Sequence, residues 1–164
     1  GIGFFDHMLD QLSKHSLINL KLECKGDLHI DDHHTVEDVG ICLGKAILKA
    51  LNNKIGIKRY GSTLLTMDDA LIQTSLDISG RPSLHWSVDF KSKKIGNFDV
   101  SLVQEFFNAL CINSGINLHV IKISGTNDHH IAEAIFKSFA KSIRTAVEID
   151  EKTKNIIPST KGVL

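Results

Sequence analysis

At 164 residues, 42% of them hydrophobic and 23% charged, with mean hydropathy near zero, the chain can bury a core and is neither disordered nor fibrous in composition. Nineteen basic residues balance nineteen acidic ones, which leaves no overall field for nucleic acid or an anionic membrane surface. Three scattered cysteines, Cys24, Cys42 and Cys111, exclude a disulfide framework, and no apolar run approaches the roughly 18 residues of a membrane span.

The elements read in chain order as follows. Phe4, Phe5, Met8, Leu9 and Leu12 recur on one helical face. Ile18, Leu20 and Leu22 then alternate with polar residues, which predicts a strand. A second helix is expected from Asp31 or Asp32, either of which can cap it, to about Leu51, where Asn52 and Asn53 stop it. Three strands follow, Thr63 to Thr66, Leu71 to Ile78 and Leu84 to Phe90, with turns at Met67-Asp68-Asp69 and Ser79-Gly80-Arg81-Pro82. Helical spacing returns with Leu102, Val103, Phe106, Phe107 and Leu110, and alternation with Ile116, Leu118 and Val120. A last helix, capped by Asn127 or Asp128, runs to about Val147.

This order is one pattern written twice. His7-Met8-Leu9-Asp10-Gln11-Leu12 aligns with Glu105-Phe106-Phe107-Asn108-Ala109-Leu110, and Ser16-Leu17-Ile18-Asn19-Leu20 with Ser114-Gly115-Ile116-Asn117-Leu118. After a two-residue slip, Asp32-His33-His34-Thr35-Val36-Glu37 falls on Asp128-His129-His130-Ile131-Ala132-Glu133. The predicted fold is therefore α+β, with two pseudo-symmetric sheet-plus-helices units, residues 1–90 and residues 91–164 with a C-terminal tail, joined as one compact domain.

Nine histidines are many for this length, and their spacing carries the chemistry. Residues four apart share a helix face while neighbours diverge by about 100°, so His33 with Glu37, and His129 with Glu133, can each grip one ion. His34 and His130 then point elsewhere, and pseudo-symmetry gives each pair the other copy's single histidine. The aligned His7 and Glu105 add a donor to each set. The expected sites are His129, Glu133, His34 and His7 for one ion, and His33, Glu37, His130 and Glu105 for the other. Imidazole and carboxylate without thiolate, and more than three protein ligands, favour an octahedral ion, manganese first. The spacing differs from that of metalloproteases, in which two histidines share the face.

Together, Phe5-Asp6-His7-Met8-Leu9, Asp31-Asp32-His33-His34-Thr35-Val36-Glu37-Asp38, Asp77-Ile78-Ser79-Gly80-Arg81-Pro82, Asn127-Asp128-His129-His130, Phe136-Lys137-Ser138-Phe139-Ala140 and Pro158-Ser159-Thr160-Lys161-Gly162 resemble the imidazoleglycerol-phosphate dehydratase family across the chain. The resemblance implies a cytoplasmic lyase of histidine biosynthesis with ribosomal S5 domain 2-like halves. It would convert D-erythro-imidazole glycerol phosphate to imidazole acetol phosphate, with two manganese ions binding the substrate imidazole. It further implies twenty-four chains built from trimers, with active sites where chains meet. His7, His34, Glu37, His129 and Glu133 would be catalytic; Arg59, Arg81, Lys137, Ser159 and Lys161 would hold the phosphate, and His15 would touch substrate. There are two departures. The family usually opens with a further segment, partly strand, that carries a proton-transferring glutamate, so a missing N-terminal strand is expected; and Glu105 stands where many members have histidine. The rival readings are a metal-dependent phosphoester hydrolase and a metal-binding module without enzymatic activity.

Overall fold

Four helices and six strands make up the computed structural model, which describes residues 1–164. The helices are α1 (Gly3–Ser16), α2 (His33–Leu51), α3 (Ser101–Ser114) and α4 (Asp128–Val147). The strands β1 (Tyr60–Met67), β2 (Ala70–Asp77), β3 (Ser83–Ser87) and β6 (Asn117–Ser124) form one sheet in the order β1-β2-β6-β3. Only the β3–β6 pairing is parallel. A short hairpin, β4 (Lys94–Ile95) with β5 (Phe98–Asp99), leads into α3.

The helices cover one face of the sheet in two layers. α4 lies across β1 and β2, and α3 lies against β3; α1 then packs on α4, and α2 on α3. Each copy's first helix thus packs on the other copy's second, the pairing a pseudo-twofold axis produces. The core between the layers is aromatic: Phe106, Phe107, Phe136 and Phe139 are fully buried, with Phe106 and Phe136 stacked at 5.3 Å between centroids. α2 approaches α3 closely because Gly40 and Gly44 carry no side chain: a Cβ there would lie 2.8 Å from the Phe106 carbonyl oxygen and 2.6 Å from that of Leu110. Any larger residue would push the helices apart.

Hydroxyls fix α4 on the sheet. Thr74 on β2 meets Ser138 at 2.8 Å and Ser142 at 2.7 Å, and Ser138 also donates to the Thr63 carbonyl on β1 at 3.2 Å. All three side chains are buried, so each hydroxyl needs a partner that only this docking provides.

The helix limits Leu51 and Val147 agree with the sequence reading, as do the three strands between the copies and the Asn127 cap, whose side chain accepts from the His129 and His130 amides. One expected strand is absent. Residues 18–27 form no strand, although Ile18, Leu20 and Leu22 are half-buried and Asn19, Lys21 and Glu23 exposed. The alternation reflects packing of one side against the core, whereas a strand also needs a hydrogen-bonded neighbour, and none of residues 1–164 runs alongside. β3 likewise stops at Ser87 rather than Phe90. The Lys91 and Ser92 amides just beyond turn to the buried Asp128 carboxylate, at 2.9 and 2.7 Å.

Candidate metal centre

α4 enters the site through an ordered turn. Asp69, in the β1–β2 turn, accepts from the Thr126 and Asn127 amides at 2.6 and 3.0 Å, and Asn127 then caps the helix. Those backbone bonds, with a bond from His130, hold the Asp69 carboxyl well below the usual carboxylate range. The N-terminus of α4 is thereby fixed before its histidines begin.

His129 Nε2 lies 3.1 Å from Glu133 Oε2, one turn along, and His7 Nε2 on α1 lies 3.4 Å from the same oxygen. One donor atom from each of these three residues falls within 4.8 Å of the other two. The fit to a cation is good: at ligand distances of about 2.0–2.2 Å, donors at right angles on an octahedral ion stand about 3 Å apart. Phe4 packs edge-on against His129 at 5.2 Å between centroids. Glu133 is nearly buried, 8% exposed, and its other oxygen meets Lys137 Nζ at 2.7 Å. Burial pushes the Glu133 carboxyl up, but Lys137, His7 and His129 more than offset this, and it sits below the ordinary glutamate value.

The second His/Glu pair is looser. His33 Nε2 and Glu37 Oε2 are 3.8 Å apart, both over two-fifths exposed. Glu105, half-buried on α3, makes no hydrogen bond or ion pair and joins no donor cluster with them. The β4–β5 hairpin stands between the two pairs: Asn97 and Asp32 line both an open cleft of about 770 Å³ that contains His7 and His129 and one of about 400 Å³ that contains His33.

His34 and His130 turn away from their neighbours, with rings at 89° and 80° to those of His33 and His129. Neither reaches the other copy's pair within the chain. His34 Nδ1 instead meets Asp27 Oδ2, and His130 Nδ1 meets Asp69 Oδ1, each at 2.8 Å.

The candidate substrate residues fall into two groups. Lys137 bonds Glu133 in the three-donor cluster, while His15 lies about two turns along α1 from His7, where burial, then the charges of Lys137 and Lys141, lower its pKa. Arg59 sits at the far end of α4, its amide bonded to the Ala146 carbonyl at 2.9 Å, about 20 Å along the helix from Glu133. Its guanidinium forks onto Asp77 at 2.7 and 3.0 Å and reaches the Pro158 carbonyl at 2.8 Å, beside Ser159. Ser159 Oγ accepts from the Lys161 amide at 3.2 Å, and Arg81 follows Gly80, which abuts Leu164. The chain therefore gathers Arg59, Arg81, Ser159 and Lys161 at one end and the three-donor cluster at the other.

Sequence reasoning missed Asp27, Asp69 and Lys54. Lys54 is buried at a backbone φ of 58°, with its ammonium 3.7 Å from where a Cβ on Gly80 would stand, so it adds a cation to the Arg59 end. A lysine at a turn carries no local sign of burial, and the aspartates act through contacts across loops.

Comparison with known proteins bears on this arrangement. The family model for imidazoleglycerol-phosphate dehydratase matches residues 1–143. The imidazoleglycerol-phosphate dehydratase of Dinoroseobacter shibae is 61% identical over the whole chain and 84% of its own length, and that of Paracoccus denitrificans 60% over the same shares. The crystal structure of the enzyme from Staphylococcus aureus superposes with a TM-score of 0.87 at 40% identity, covering 92% of this chain and 85% of that one. The Pyrococcus furiosus enzyme gives 0.86 at 36% identity, covering 98% and 86%. With these donors, this fold and these relatives, the chain belongs to the imidazoleglycerol-phosphate dehydratase family of hydro-lyases.

Proposed function

We propose that this chain dehydrates D-erythro-imidazole glycerol phosphate to imidazole acetol phosphate in cytoplasmic histidine biosynthesis, with two manganese ions and active sites completed between copies of itself. The observation that carries this reading is the convergence of His7, His129 and Glu133 at the spacing of an octahedral ion, in a chain of that family. Bound manganese would supply Lewis acidity toward the substrate's ring nitrogens and departing hydroxyl.

His7, His129 and Glu133 hold one ion, and His33, Glu37 and Glu105 contribute to the other. The outward-facing His34 and His130 are offered to neighbouring copies. The two ends of α4 support that division. At about 1.5 Å per bond the substrate spans roughly 10 Å, so it cannot touch both Glu133 and Arg59 of one chain, about 20 Å apart. Arg59, Arg81, Ser159 and Lys161 of one copy therefore grip the phosphate of a substrate whose ring lies at a cluster held elsewhere, as in an assembly of twenty-four chains built from trimers. Lys137 adds a cation beside the ring, and His15, kept neutral by burial and by its lysine neighbours, offers a hydrogen bond rather than a charge. Removing a phosphate contact weakens binding, whereas removing a metal donor removes turnover.

Glu133→Gln tests the reading when manganese content and ketone formation are measured on the same sample. The expected result is manganese loss together with a fall in kcat of about 100-fold or more. Full activity at normal metal loading overturns the assignment.

A further inference from the structure

The two His-His pairs show the same division of labour. The first histidine of each turns to the glutamate one turn on, and the second turns to an aspartate from outside its helix. Asp27 comes from the loop just before α2, and Asp69 from the β1–β2 turn, 61 residues before His130. The internal repeat does not relate these aspartates to each other: the register that places His33 on His129 places Asp27 on Ile123, not on Asp69. Duplication explains two His-His pairs. It does not explain two aspartates, recruited from unrelated loops, that make the same contact to the same ring nitrogen at the same 2.8 Å.

A carboxylate on Nδ1 keeps the proton there, fixes the ring and leaves the Nε2 lone pair facing out, which is how carboxylates prepare a histidine for a metal. We infer that Asp27 and Asp69 are positioning residues that hold His34 and His130 as Nε2 donors to ions shared with neighbouring copies. This inference rests on the two-metal reading above. Asp68 Oδ2 is 3.6 Å from His130 Nε2, too far for a hydrogen bond, and at 74% exposed is free to turn aside. Asp69 divides its oxygens, Oδ2 accepting from Thr126 and Asn127 and Oδ1 from His130, so its loss also loosens the entry to α4. The Asp27 side chain accepts only from His34, so its substitution isolates the contact.

The test compares the intact wild-type protein with Asp27→Ala, Asp27→Asn and Asp69→Asn. Manganese affinity is read by electron paramagnetic resonance, and the tautomers of His34 and His130 by nitrogen-15 NMR of the metal-free protein near about pH 8.5, where imidazole is neutral. Asp27→Ala is expected to weaken manganese binding roughly 10–100-fold and to shift His34, but not His130, away from the Nδ1–H tautomer. Asp27→Asn, whose amide oxygen still accepts, retains the tautomer and regains part of the affinity. Asp69→Asn lowers affinity while keeping His130 as Nδ1–H. Manganese affinity within about twofold of wild type in Asp27→Ala overturns the inference while the two-metal reading stands. A wild-type protein that takes up no manganese overturns that reading and the inference with it.

Discussion

Within residues 1–164 the two copies of the repeat share a motif but not its support, and the contrast shows what turns a motif into a site. In the second copy, α4 is docked on a sheet and locked by the Thr74, Ser138 and Ser142 hydroxyls, and Glu133 is nearly buried between His7, His129 and Lys137. In the first copy, none of residues 1–164 forms a sheet over α2, the equivalents of Ser138 and Ser142 are the exposed Cys42 and Ala46, and the position of Lys137 is held by Ile41. His33 and Glu37 are correspondingly 3.8 Å apart and open to solvent. Identical residue types at identical spacing therefore set which side chains can meet, and the packing behind the helix sets how firmly they are held.

The strongest way to break that comparison is to remove the packing itself. Phe136→Ala empties a fully buried position stacked on Phe106 and tilted against Phe107 and is expected to cost about 3–5 kcal/mol in urea unfolding, whereas Leu43→Ala in α2 should cost about 2–3. Equal costs would mean that both copies are supported alike. Thr74→Val keeps the shape but removes the hydroxyl shared by Ser138 and Ser142, and should cost about 1–2 kcal/mol. Ala46→Ser, on the exposed face of α2, should cost only the helix-propensity difference, about 0.5 kcal/mol.

Protonation sharpens the contrast further. Because Lys137, His7 and His129 outweigh burial and hold the Glu133 carboxyl below its ordinary value, the folded state binds its proton less readily than the unfolded chain does. The stability this contributes is fully present above the unfolded glutamate value near about 4.3 and is lost as pH falls through the lower folded value. Metal-free wild type should therefore be more stable than Glu133→Gln above about pH 5, with the gap closing below about pH 4. A constant gap in thermal melts across that range would show that Glu133 is not held as an anion by its neighbours.

Much of this was legible in the sequence, for local reasons. Helix spacing reports a buried face, so all four helices, and the pairing of His129 with Glu133, could be read from intervals of three and four. His7 was reachable only through the repeat alignment and the family resemblance, because α1 meets α4 across more than a hundred residues. The Asp27 and Asp69 contacts left no trace, since a loop aspartate looks the same whether it faces water or an imidazole. The segment through Ile18, Leu20 and Leu22 misled for a related reason: alternation records which side chains face the core, and nothing in it records whether another strand lies alongside. The separation of Arg59 from Glu133 was equally hidden, because it depends on where the chain re-enters at the end of α4.

The smallest expected effect is also the one that reports most directly on the exposed face of α2. Cys42→Ser should change stability by no more than about 0.5 kcal/mol in an isolated chain, as substitutions on an exposed surface generally do. Cys24 and Cys42 are both exposed, whereas burial pushes the Cys111 thiol up to about 12. A thiol reagent near neutral pH should therefore label Cys24 and Cys42 promptly and reach Cys111 only on unfolding. The two experiments read the same surface in different states. If Cys42 reacts at low protein concentration but becomes protected as copies associate, while Cys24 stays reactive, the bare face of α2 is covered by another chain, and the first copy obtains from its neighbours the support that the second copy draws from β1 and β2. If Cys42 reacts at the same rate in every state of association, no neighbouring copy covers α2, and its looser His33 and Glu37 pair gains no support from one.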